Sequence, residues 1–79
     1  MALIDRVAAL FSKAFGIEPA QFSLETVPED VMQWDSLGHM RLVGELEEGF
    51  GVQFEVDEIT EMSSGRKIIE ILQAKGVQD

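Results

Sequence analysis

The chain has 79 residues, of which 46% are hydrophobic, enough for one small domain with its own core. A formal net charge of -9 disfavours nucleic-acid backbones and anionic lipid as partners and favours basic protein surfaces. With no cysteine present, disulfide frameworks, thiolate chemistry and Cys-based zinc sites are excluded, and no stretch approaches the ~20 apolar residues of a membrane span.

The opening residues Met1 to Arg6 lack a basic start and an uninterrupted apolar run, so a cytoplasmic location is the expectation. Leu3, Ile4, Val7, Leu10, Phe11, Ala14 and Phe15 follow helical spacing and stop at Gly16, which predicts a first helix with a broad apolar face. A long connection follows, with Pro19, Pro28 and no sustained period. Ile17, Phe22, Leu24, Val27 and Val31 mark it as a loop that packs over the domain, since free loops of more than about 12–15 residues are uncommon in compact folds.

From Leu37, the apolar residues Met40, Val43, Leu46 and Phe50 predict a second helix with these residues on its buried face, ended by Gly49 and Gly51. Asp35 or Ser36 caps its first turn, and Gly38 leaves the surroundings of the serine uncrowded. Val52 to Val56 alternates as a strand would. A lone strand has no partner, so the segment is assigned to a connection. Val56 to Met62 reads as a short third helix. Ser63 or Ser64 caps a fourth, in which Ile68, Ile69, Ile71 and Leu72 are buried and Lys75-Gly76 forms the end. The expected fold is an all-α four-helix bundle, three helices longer and one short, with a long first loop, as a single domain over residues 1–79.

Ser36 is the chemically suggestive residue. Its hydroxyl stands at the start of an amphipathic helix, where a phosphodiester is tolerated by the helix macrodipole, with Asp35 opposing slightly. Residues 35–61 contain eight acids and one base, so the acidity concentrates around it.

Asp35-Ser36-Leu37, Leu46-Glu47-Glu48-Gly49-Phe50, Gly51-Val52-Gln53-Phe54 and Val56-Asp57-Glu58-Ile59 together resemble the acyl carrier proteins, over nearly the whole chain. The resemblance implies a covalent 4'-phosphopantetheine on Ser36, with Asp35 and Leu37 as its motif neighbours. It implies no catalytic residue and no metal of the chain's own. It also implies a monomer that serves a phosphopantetheinyl transferase and acyl-loading and acyl-processing enzymes. Glu45, Glu47, Glu48, Asp57 and Glu58 are the expected electrostatic contacts, with Leu37 and Met40 as apolar contacts beside the arm. Cargo would be an acyl thioester of fatty acid, polyketide or another specialised biosynthesis.

Three positions depart from the usual pattern. Trp34 stands where many fatty-acid carriers have a small residue, and Gly38 and Arg41 stand where several have acid. These departures leave attachment of the arm intact and point to a dedicated pathway. Trp34 is expected to anchor the loop rather than to stand exposed.

Other arrangements have competing readings. An aminoacyl or peptidyl carrier would share the serine but lacks its Gly-Gly-His-Ser-Leu type of motif here; an unmodified interaction module would not need Ser36. Asp35, Ser36 and His39 suggest a small hydrolase, yet there is no nucleophile elbow or oxyanion loop. His39 is expected to be solvated or a partner contact, with some influence on how the arm is held. Glu55, Asp57, Glu58 and Glu61 can attract a divalent cation at most weakly. Met40 and Met62 either line an acyl pocket or fill the core.

Overall fold

A computed structural model describes residues 2–78. It contains four helices, α1 (Leu3–Phe15), α2 (Ser36–Phe50), α3 (Val56–Glu61) and α4 (Gly65–Ala74). The loop between α1 and α2 carries two single-turn 3-10 segments, Pro19–Gln21 and Pro28–Asp30. No strand occurs among the described residues, and the alternating segment before α3 is a connection. The all-α bundle with three longer helices, one short helix and a long first loop therefore matches expectation. No helix among the described residues is long and apolar enough to cross a membrane.

Leu3, Val7, Phe11, Ala14 and Phe15 form the buried stripe of α1, which ends at Gly16 in the left-handed conformation (φ 69°). Phe11 is the centre of an aromatic cluster. Its ring lies 4.8 Å from Phe15, 4.9 Å from Phe22 and 5.3 Å from Trp34, the last edge to face. Phe22, Val31 and Trp34 belong to the long loop, so the loop supplies part of the core rather than crossing over it.

The buried face of α2 differs from the predicted one. Gly38, Leu42, Val43 and Leu46 are buried, whereas Leu37 and Met40 are 80% and 55% exposed. At about 100° per residue, the nine residues from Leu37 to Leu46 turn the helix through half a revolution beyond whole turns, so those two leucines point to opposite sides. Repeated steps of three drift around a helix, and the true stripe runs through positions 38, 42 and 46 in steps of four. Gly49 does not end the helix either. A methyl group there would come within 2.6 Å of a Leu10 methyl, so Gly49 lets α1 pack closely, and Gly51 (φ 67°) caps the end.

The loop is held against the first turns of two helices by its own backbone. Gly65 and Arg66 at the start of α4 donate their N–H groups to the Thr26 and Leu24 carbonyls, each at 2.8 Å. The Ser64 hydroxyl accepts the Lys67 N–H at 3.1 Å. These contacts satisfy donors that a helix start leaves open. Both approaches are possible because a glycine faces the loop: a Cβ on Gly65 would lie 2.0 Å from the Ser23 carbonyl oxygen, and one on Gly38 1.9 Å from that of Gln33. Gly38 thus makes room for the loop backbone, not for the serine.

The short α3 is pinned through Glu58. Its Oε1 accepts the Glu55 N–H and the Lys75 ammonium, each at 2.8 Å. Lys75, and then the Glu55 N–H, hold the Glu58 carboxyl below its ordinary range. This stabilisation is complete above the ordinary carboxylate range and is lost as the pH falls through the lowered value.

Gly38 and Gly44 lie on the same helix but in opposite surroundings, since a Cβ at Gly44 meets nothing within 4 Å. Gly44→Ala should stabilise the fold by about 0.5–1 kcal/mol and Gly38→Ala should destabilise it by about 1–3 kcal/mol, as measured by urea unfolding. Equal effects of the two substitutions would contradict the close loop approach.

Candidate functional site

Ser36 is the first residue of α2 and is exposed. Asp35 immediately before it is the N-cap, and its Oδ1 accepts the Gly38 N–H at 2.8 Å. The His39 N–H already starts the helical ladder with the Asp35 carbonyl at 2.7 Å. Between them these bonds fix the backbone on both sides of Ser36, which itself stays exposed. An anionic substituent on that oxygen would sit at the positive end of the helix macrodipole, which supports the fit of a phosphodiester there.

The residue before the cap sets the position of the whole turn. Trp34 is only 4% exposed, and its ring rests on Phe11 and Phe15. A buried indole N–H requires an acceptor, and His39 supplies it: Trp34 Nε1 donates to His39 Nδ1 at 2.8 Å, the two rings lying edge to edge with their planes within 14° and their centroids 6.1 Å apart. Because Nδ1 accepts, the imidazole carries its proton on Nε2, and that group donates to the Ile59 carbonyl of α3 at 2.7 Å. One chain of two hydrogen bonds therefore ties the loop, α2 and α3 together beside Ser36.

Trp34 is the anchor that the sequence predicts. His39 departs from expectation, since it is half-buried and both ring nitrogens are engaged inside the fold. With Nδ1 and Nε2 so committed, the imidazole is not poised to take a proton from Ser36, and the hydrolase reading loses its base. Nothing in the sequence marks this bridge, because one of its three partners is a backbone carbonyl 20 residues away.

The expected recognition acids divide into two groups. Glu45 pairs with Lys13 at 3.4 Å, Glu47 Oε2 accepts the Phe54 N–H at 2.9 Å, and Glu58 is held by Lys75. Those three have work inside the fold. Glu48 and Asp57 are exposed, and so are the apolar candidates Leu37 and Met40. Met62 is 2% exposed and belongs to the core, so of the two methionines considered for an acyl pocket only Met40 is exposed. Met32 at 91% and Val56 at 77% exposure are further apolar surface residues that periodicity alone passes over, since neither lies within a helical stripe. No group of three or more metal-ligating side chains able to hold an ion is found among the described residues, Glu55, Asp57, Glu58 and Glu61 included.

Compared with known families, residues 5–72 match the model of the family described as "Phosphopantetheine attachment site". The matched span runs from the first turn of α1 to Leu72 in α4 and includes Ser36 and the whole loop. Comparison with curated proteins gives no match.

The Trp34–His39–Ile59 bridge has a measurable energetic consequence. His39→Ala strands a buried indole N–H and a carbonyl, and should lower unfolding stability by about 1–3 kcal/mol. A double-mutant cycle with Trp34→Phe, which removes the donor, should give a coupling of about 0.5–3 kcal/mol. A His39→Ala stability equal to wild type, with no coupling, would show that the bridge contributes nothing.

Proposed function

The chain belongs to the phosphopantetheine attachment-site family, whose members are carriers rather than catalysts and hold a covalent 4'-phosphopantetheine, and on that premise we propose that it is an acyl carrier loaded at Ser36. Carriers of this family work with a phosphopantetheinyl transferase and with enzymes that process the carried group. The observation that supports Ser36 as the attachment point is its placement: an exposed hydroxyl on a turn that Asp35 and Trp34 hold rigid, inside the matched span.

In the loading step the Ser36 oxygen forms a bond to the phosphorus that bears pantetheine in coenzyme A. The pyrophosphate P–O bond breaks, adenosine 3',5'-bisphosphate leaves, and the serine proton passes to a base of the transferase. Once bound, the group supplies a terminal thiol that carries cargo as a thioester. Asp35 orders the turn, Leu37 and Met40 offer apolar surface next to the serine, and Glu48 and Asp57 offer unpaired negative charge to basic partner surfaces. Glu45, Glu47 and Glu58 contribute to that field, although each also has an internal partner. The carrier is one unit over residues 1–79 and acts as a cytoplasmic monomer.

Acyl cargo is favoured over aminoacyl or peptidyl cargo by the Asp35-Ser36-Leu37 form of the motif. Arg41 is exposed and lowers the negative charge of the face nearest the serine, which supports a dedicated pathway over general fatty acid synthesis. Gly38 no longer adds to that argument. It is buried against the loop, so its identity answers to packing and not to docking.

Treatment with coenzyme A and a phosphopantetheinyl transferase should add the mass of one phosphopantetheine and create one titratable thiol in a chain that has no cysteine. Ser36→Ala should stay folded, because Asp35 and not the serine caps the helix, and should gain neither. Equal modification of wild type and variant would refute Ser36 as the site.

A further inference from the structure

Five of the six basic side chains in the sequence have a partner within the fold. Arg6 lies over the Phe50 ring, 4.6 Å from its centre, and Lys13, Arg66, Lys67 and Lys75 each reach a carboxylate at 2.6–3.9 Å. Arg41 has no such partner among the described residues. It is exposed, and Glu45, the acid one turn further along α2, is turned to Lys13 instead. Arg41 is also the one Lys or Arg in residues 35–61, which hold eight acids.

The helix surface around Arg41 is open as well. At about 100° per residue, Leu37, Met40, Arg41, Gly44 and Glu48 fall within an arc of about 100°, and all five are exposed. Gly44 stands in the middle of this stripe, ringed by the residues three and four away along the helix, Met40, Arg41, Glu47 and Glu48. A Cβ there would meet nothing within 4 Å, so no packing inside the chain calls for a glycine, in contrast to Gly38 and Gly49. Glycine weakens a helix interior. Its presence leaves a notch of bare backbone between a thioether, an unpaired cation and two carboxylates, the kind of hole that a side chain of a facing surface fills.

Resting on the carrier assignment, we propose that Arg41 and Gly44 set partner specificity: the enzymes dedicated to this carrier present a carboxylate to Arg41 and a large apolar side chain to the Gly44 notch, with basic groups only beyond, towards Glu48. Arg41 and Glu48 are seven residues apart, about 10 Å along the axis at about 1.5 Å per residue. A complementary surface changes sign over that distance. A uniformly basic surface instead sets like charge against Arg41 at closest approach, and such mismatches discriminate between partners through encounter rate and the penalty on wrong pairings. A second copy of this chain is a poorer occupant, since a net charge of -9 on each copy opposes association.

The test takes a phosphopantetheinyl transferase with a basic docking surface as the probe and the unmodified full chain as its substrate. Arg41→Cys, in a chain with no native cysteine, is trapped by disulfide formation with a series of single-cysteine transferases, which identifies the basic residue that faces position 41. That residue is then changed to Glu, and kcat/KM for loading is measured for both transferases with wild type and Arg41→Glu. The parent transferase should favour Arg41→Glu by about tenfold and the Glu form should favour wild type by a similar factor, both differences lying in KM and shrinking as salt rises. Gly44→Leu should slow loading by the Glu form several-fold through KM, while circular dichroism shows its helicity retained. The same substrate preference in both transferases would overturn the proposal, and so would a Gly44→Leu variant loaded as fast as wild type. Sedimentation showing that wild type self-associates and Arg41→Glu does not would assign the face to a second copy and overturn it too. Loading of neither substrate by either transferase would instead defeat the carrier assignment itself.

Discussion

Burial of the Trp34 indole among Phe11, Phe15 and the loop is the constraint from which the geometry around Ser36 follows. An indole that fills an aromatic core must still satisfy its N–H, since stranding a buried donor costs about 1–3 kcal/mol in a domain whose total stability is about 5–15 kcal/mol. His39 meets that need. In doing so it presents its other nitrogen to α3, so a packing requirement of the loop becomes a tie between α2 and α3. Asp35 and Ser36 occupy the two positions between the buried ring and the first full helical turn. They have little freedom except to face outward.

The same economy explains the glycines and the acids. Gly38 and Gly65 let the loop backbone rest directly on the starts of α2 and α4, and Thr26 and Leu24 supply carbonyls to the open donors of α4. The loop is thereby as much a part of the fold as any helix, although it contains only single turns of regular structure. On the acidic side, Glu47 and Glu58 close backbone donors at Phe54 and Glu55. A surface that looks uniformly available in composition is in fact partly committed, and of the five acids expected to meet partners only Glu48 and Asp57 are without an internal one.

Much of this was legible in the residues. Helix ends were marked by Gly16, Asp35, Gly51 and Ser64, each for a local reason of capping or left-handed backbone, and local reasons survive folding. The Asp35-Ser36-Leu37 motif located the candidate site because its meaning depends on the type of residue and on a helix start. What was not legible depended on contacts distant in sequence. The buried face of α2 does not follow from spacing because steps of three rotate around the helix, and only contact with α1 and the loop selects Gly38, Leu42 and Leu46. Gly49 resembles a terminator in sequence, but its small size serves Leu10 of another helix. His39 looks like a surface residue in sequence because its partners are an indole across the helix start and a carbonyl in α3.

Carrier function depends on one atom, the hydroxyl oxygen of Ser36. Trypsin releases residues 14–41 as one fragment, which carries Ser23, Thr26 and Ser36 as competing hydroxyls. Fragmentation of that peptide by tandem mass spectrometry, after treatment of the intact protein with coenzyme A and a phosphopantetheinyl transferase, locates the added group directly. It should be found on Ser36 alone, with Ser23 and Thr26 unmodified. An added group on either of those residues, or no added group anywhere in the chain, would contradict the account.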